Sequence, residues 1–311
     1  MFAANSVAIN TPGQNWFQKT PVTGATFDSV AAYGKGVYLL GGGTAYLATS
    51  TDANTWVLNS GLRDPVLTNG STIRGLVYAE SLGYFIAGSS QGGVATSTDA
   101  VTWINRTSGL SSTGWSGSSI NTFVWNGSQL LAFGDVGKVA TSADGITWSY
   151  KGVMSTLAGW AVGAGPFISS YSAAYNGSTY MAVGYGSIAE CATSPDGTTW
   201  TNRPGLNSVL SGSIPRSVAW CPTISRWLVG TTDGKLASST DGASWSLLTT
   251  PAAGAQIRCI QTVGGYIFAL CSNKLMSSVD GINWSSTTNA SGAALGVNGN
   301  LMFTNAFKVS A

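Results

Sequence analysis

Histidine is missing altogether from the 311 residues of this sequence. Its absence removes the commonest general base and zinc ligand, and with them Ser-His-Asp and Cys-His catalysis. Charge is almost as scarce, because Asp, Glu, Lys and Arg together supply 8% of the residues, where about 25% is usual. The net charge of +2 is spread without Lys or Arg clusters, so no basic footprint for nucleic acid is present. Only two glutamates occur, Glu80 and Glu190. The four cysteines, Cys191, Cys221, Cys259 and Cys271, show no CxxC spacing and read as free buried thiols. Cys259 and Cys271 flank an expected hairpin turn at Gly264-Gly265, which leaves a cross-strand disulfide open. No apolar run approaches the roughly 18 residues a spanning helix needs, so membrane insertion is not expected. The opening Met1-Phe2-Ala3-Ala4-Asn5 lacks the basic start and apolar stretch of a signal peptide. No metal-ligand set or cofactor motif is found, and none is expected to be bound.

What the sequence does contain is a repeat. Six segments align: 50–56, 97–103, 142–148, 194–200, 239–245 and 278–284. Each carries Ser, then Asp two residues later, then Trp four residues after the Asp. The pairs are Asp52 and Trp56, Asp99 and Trp103, Asp144 and Trp148, Asp196 and Trp200, Asp241 and Trp245, and Asp280 and Trp284. A degenerate seventh copy, 10–16, ends in Trp16. Successive tryptophans lie 40, 47, 45, 52, 45 and 39 residues apart, the period of a four-stranded propeller blade. Asp-Gly or Asp-Ala makes a tight turn in which the Asp side chain accepts backbone N–H groups. The Trp then wedges between neighbouring blades. Repetition at equivalent sites marks these aspartates as architecture, not catalysis.

Two more strands precede each motif, as in Thr122–Trp125 and Gln129–Gly134 around Asn126-Gly127, and in Ser172–Tyr175 and Tyr180–Val183 around Asn176-Gly177. Asn-Gly between apolar runs is a strong hairpin signal. No sustained helical period is visible, so helix should be negligible. The expected fold is all-β, a seven-bladed β-propeller of four-stranded antiparallel blades forming one domain over 1–311. Its seventh blade is shared by about 1–20 and 290–311. Pairing of N- and C-terminal strands closes the ring and removes exposed edges. The split is 2+2, or 3+1 if Phe307–Val309 contributes a strand.

The motif resembles the Asp-box (BNR-type) repeat of sialidase-like propellers, usually Ser-x-Asp-x-Gly-x-Thr-Trp. Here it is Ser-x-Asp-Gly-x-Thr-Trp, a form similar to repeats of bacteriophage tail and virion proteins. The resemblance spans nearly the whole chain and implies the propeller fold. For function it implies a choice, because such repeats occur in hydrolases, lectins, assembly factors and structural modules. Sialidases of the family use an arginine triad for a carboxylate, a Tyr–Glu nucleophile pair and an Asp acid/base. With the inner strands aligned on their aromatic, Ser29, Arg74, Asn121, Tyr171, Arg216, Arg258 and Ala293 stand in equivalent positions, four residues before that aromatic in the first five. Three arginines therefore meet near the axial channel, either as an anion site or as solvated caps of its mouth. The remaining catalytic parts are poorly supplied. Glu80 falls in a loop at the end opposite Arg74, Glu190 in a third strand, and the aspartates outside the motifs are Asp28, Asp64, Asp135 and Asp233.

The long connections 106–119, 151–169 and 201–215 follow a motif Trp and crowd one face. Loops on a rigid scaffold often carry function. Trp115, Trp160 and Phe167 in them can anchor a sugar or a protein, or fold back as plugs. The reading is a non-enzymatic propeller serving as a structural or interaction module of a bacteriophage virion, in the tail or associated with the capsid. Its partners would be other virion proteins or a host cell-surface glycan. The expected binding residues are Trp115, Trp160, Phe167, Tyr171, Arg74, Arg216 and Arg258. A glycan-binding lectin and a sialidase-like glycoside hydrolase are the alternatives.

Overall fold

The computed structural model describes residues 6–8, 17–19, 30–52, 55–63, 65–67, 70–115, 117–161, 169–263, 265–272, 274–288, 293–297 and 300–304. At 6–8, 17–19, 169–171, 263, 287–288, 293–297 and 300–304 the backbone alone is described. The chain is all-β, folded into four-stranded antiparallel sheets arranged around an axis as propeller blades. Each blade runs outward strand by strand. Blade 3, for example, comprises Ile120–Trp125 at the axis, then Leu130–Gly134, Lys138–Ser142 and Ser149–Val153 at the rim.

The expected count of seven motif-bearing blades is corrected to six. These occupy 30–59, 73–105, 120–153, 169–202, 215–248 and 257–288, numbered here as blades 1 to 6, and each is built from four consecutive strands. The seventh motif copy, with Trp16, lies outside the described residues. The terminal strands make a further sheet of different construction, ordered Phe17–Lys19, Ser6–Ala8, Asn300–Thr304, Ala293–Val297. In it Ser6 pairs with Lys19 on one side and Thr304 on the other. Ala293–Val297 lies between the innermost strands of blades 6 and 1. Counting tryptophans counts motifs, whereas a blade is a run of consecutive hydrogen-bonded strands; here the two counts separate.

The motif turns are small hydrogen-bonded knots. In blade 3 the Ser142 hydroxyl donates to Asp144 at 3.0 Å and accepts the N–H groups of Asp144 and Gly145. Asp144 Oδ1 accepts the N–H groups of Ile146 and Thr147 at 2.8 and 2.7 Å. The Trp148 indole N–H donates back to the Gly145 carbonyl. Blades 4 and 6 repeat the full set. The turn needs a left-handed residue after the Asp. Gly197 supplies it at φ +73°, where a Cβ would also meet the Leu131 side chain of the preceding blade. In blade 2 Ala100 takes this conformation, at φ +65°.

The motif Trp of blades 2 to 6 packs on the blade before its own. Trp103 joins Leu39 and Leu47 of blade 1, Trp200 meets Phe133 of blade 3 edge-on at 5.6 Å, and Trp245 joins Met181 and Val183 of blade 4. Tyr84 of blade 2 donates its hydroxyl to the Asp144 carbonyl of blade 3. The core is thus a series of wedges between blades, which buries large aromatic surfaces and locks neighbours together.

Candidate functional site

A cavity of about 1050 Å³ runs along the axis, lined by the innermost strands. These strands share an irregularity that the sequence conceals. In blades 2 to 6 the pairing of first and second strands slips by one residue, between Ile73 and Gly75, Ile120 and Thr122, Ser170 and Ser172, Pro215 and Ser217, and Ile257 and Cys259. The skipped residues are Arg74, Asn121, Tyr171, Arg216 and Arg258. A β-bulge leaves its extra residue out of the ladder and re-aims its side chain. The equivalence read from the sequence is therefore a bulge position, used five times with different side chains.

Arg74, Asn121, Arg216 and Arg258 all line the cavity. Arg74 reaches across to blade 3, donating to the Ser119 hydroxyl at 3.3 Å and the Asn121 amide oxygen at 3.4 Å. Asn121 in turn donates to Asp135 at 3.0 Å. Arg258 Nε donates to the Gln256 amide oxygen at 3.3 Å. Arg216 is exposed. Arg216 and Arg258 stand on adjoining blades, while Arg74 stands three blades back along the succession of touching innermost strands. Among the described residues, three arginines and one aspartate, Asp135, are the charged residues of the lining. The mouth thus carries a positive excess held in fixed geometry, suited to attracting anionic groups.

The other expected anchors are elsewhere. Trp115 and Trp160, read as either exposed anchors or plugs, are plugs: both are fully buried. Trp115 packs against Gly134 and donates its indole N–H to the Ser118 carbonyl at 2.9 Å. Trp160 joins Met154, Phe133 and Val139. The physical reason recurs around the ring, since each described connection buries two apolar residues under itself. They are Leu62 and Leu67, Leu110 and Trp115, Met154 and Trp160, Leu206 and Leu210, and Ala252 and Ala255. Short helices, Thr107–Leu110, Met154–Leu157 and Gly205–Leu210, set those residues in place. They correct the expectation of negligible helix, being too short to register a sequence period. Phe167 lies outside the described residues, and for Tyr171 the backbone alone is described.

The carboxylates do not converge with the arginines. Glu80 is exposed in the turn beyond Ala79, at the far end of the strand that begins next to Arg74. Glu190 is buried in the third strand of blade 4, accepting the Ala161 N–H at 2.6 Å, and burial raises its pKa. Asp233 is held by the Ser213 and Thr231 hydroxyls, while Asp28 and Asp64 lie outside the described residues. All four cysteines are free thiols. The bulge at Arg258 sets Cys259 opposite Leu270 and Cys271 opposite Ile257, so the two thiols face opposite sides of the sheet. No described group of three or more Cys, Asp or Glu residues can hold a metal ion. Among the described residues no helix is long and apolar enough to cross a membrane.

No protein-family model matches the chain, and no curated protein does. Solved structures match the fold. One is YCF48 bound to D1 peptide, 16% identical with a TM-score of 0.65 over 93% of this chain and 95% of that one. Another is YCF48 from Cyanidioschyzon merolae, 13% identical with a TM-score of 0.66 over 92% and 97%. The extracellular domain of the one-component system BT4673 from B. thetaiotaomicron is 12% identical, TM-score 0.65, over 91% of this chain and 38% of that one. At these identities the likeness is one of fold.

Proposed function

We propose that this chain is a non-enzymatic propeller that binds a protein partner at the arginine-bearing mouth of its channel, as a structural or interaction module of a bacteriophage virion. The observation that carries the binding role is the bulge position. One backbone device presents Arg74, Asn121, Arg216 and Arg258 around a shared cavity, on a frame whose other repeated features serve packing. Fixed geometry with changing side chains is how scaffolds carry recognition. A propeller of the same fold has been solved with a peptide bound, which supports a protein partner. The phage setting is supported by the form of the repeat and by the low charge. A glycosidase reading loses ground because Glu80 and Glu190 lie away from the arginines. A lectin reading loses the aromatic platforms of Trp115 and Trp160, which are buried.

The test is mass spectrometry of purified particles from the host that produces this chain. Peptides of the chain should co-purify with particles, and the Arg74→Gln, Arg216→Gln, Arg258→Gln triple variant should be incorporated less while melting normally. Absence of the wild-type chain from particles would refute the virion setting. Turnover of a fluorogenic sialoside would refute the non-enzymatic reading.

A further inference from the structure

Among the described residues the lining of the channel holds three arginines against one aspartate, an excess of two positive charges. Two of the arginines are oriented by neutral acceptors: Ser119 and Asn121 hold Arg74, and Gln256 holds Arg258. Each guanidinium has five N–H donors in a planar fork. These contacts engage one nitrogen of each, Nη1 of Arg74 and Nε of Arg258. Neutral acceptors fix the direction of a guanidinium without cancelling its charge. Asp135, the lining carboxylate, is itself bonded to the Asn121 amide.

Placement decides the kind of ligand. Arg216 and Arg258 stand on adjoining innermost strands, and Arg74 is three blades away around the axis. A single carboxylate can fork onto the pair, but reaching Arg74 as well requires a second anionic group across the channel. The cavity, about 1050 Å³, has room for such an extended ligand, being at the large end of the roughly 300–1,000 Å³ typical of ligand sites. Farther along the innermost strands of blades 4 and 5, half-buried Tyr175 and Trp220 also line the cavity and offer apolar surface to a chain entering from the arginine end. We propose that the mouth binds an acidic peptide segment of a partner protein, with one carboxylate on Arg216 and Arg258 and another on Arg74. This inference rests on the reading of the chain as a partner-binding propeller and names the chemistry of the partner.

Fluorescence anisotropy with a labelled hexaglutamate peptide tests it, with hexaglutamine as the neutral control and sialyllactose as competitor. Hexaglutamate should bind and hexaglutamine should not. The Arg216→Gln, Arg258→Gln double variant should lose about tenfold or more in affinity, the loss expected for charge-assisted hydrogen bonds, and Arg74→Gln should lose less. Raising salt from about 50 mM to about 0.5 M should abolish most of the binding. Arg216→Lys, Arg258→Lys keeps the charge without the fork and should recover part of it. Equal binding of both peptides, or hexaglutamate binding unchanged in the double variant, would overturn the proposal. Displacement of hexaglutamate by equimolar sialyllactose would also overturn it, in favour of an acidic sugar. Chain incorporated into particles but blind to hexaglutamate would refute this inference alone, whereas hexaglutamate binding by a chain absent from particles would refute the virion setting alone.

Discussion

The motif turns at the blade flanks and the bulges at the channel mouth are both repeated devices, yet they repeat in opposite ways. At the turns the residues recur along with the geometry: Ser, Asp and Trp make the same bonds in blades 3, 4 and 6. At the bulges only the geometry recurs, and the residue is Arg, Asn, Tyr, Arg or Arg. A motif residue satisfies backbone groups or packs on the preceding blade, so few side chains serve. A bulge residue is outside the ladder, so many do. Constancy marks what holds the ring together, and variety on a constant frame marks where recognition can reside.

Substitutions should separate the two regions. The largest expected effect is at the tryptophans: Trp148→Ala should cost about 3–5 kcal/mol in denaturant unfolding, as large buried aromatics do. Trp115→Ala should fall in the same range, since it is a plug and not an anchor. A melting temperature left unchanged by Trp115→Ala would return that residue to the surface. Next comes Asp144→Ala, which leaves the Ile146 and Thr147 amides without their acceptor and should cost about 1–3 kcal/mol.

Acid should produce the smallest effect. Hydrogen bonds from the Thr102, Thr199 and Ser244 amides, the largest contributions, hold Asp99, Asp196 and Asp241 down at about 2. With folded values below the unfolded value of about 3.9, their contribution is complete above that pH. It is lost as pH falls through about 2. All three groups are well exposed to solvent, so each share is modest. Thermal melts should therefore hold from pH 7 to about 4 and fall below it. A melting temperature flat down to pH 2 would show that the carboxylates are not needed in ionised form.

Much of this was legible in the sequence, for physical reasons that also set its limits. Ser-x-Asp with its Trp reads as a turn because the bonds are local, within seven residues, and they form as the residue types imply. Asn126-Gly127 reads as a hairpin because the Asn126 side chain accepts the Ser128 and Gln129 amides. Counting four residues back from Tyr78 and Trp220, and from the aligned Thr262, reached Arg74, Arg216 and Arg258 because repeats keep their register. That these positions are bulges was not legible, since a bulge is a relation between two strands. Nor was the burial of Trp115 and Trp160, because glycine and serine neighbours suit an exposed loop and a plug alike. The pairing of Leu110 with Trp115 and of Leu206 with Leu210 in successive connections was the available signal. The blade count failed where the motif degenerates near Trp16, although the pairing of N- and C-terminal strands expected there is present.

The pairing of Ser6 with Thr304 has a consequence for how the molecule is made. On the ribosome, each of the six consecutive blades can zip up soon after its own residues emerge, since its strands are neighbours in sequence. The sheet that holds this pair has to wait, because Ser6–Ala8 is synthesised before the six blades and its partner Asn300–Thr304 after them. Until then the early strand travels with an unsatisfied edge, open to pairing with other chains. Closing so long a loop also makes this the slowest contact topologically. Premature termination anywhere before residue 300 should therefore release a nascent chain prone to join its neighbours edge to edge, a hazard that ends once Asn300–Thr304 is made.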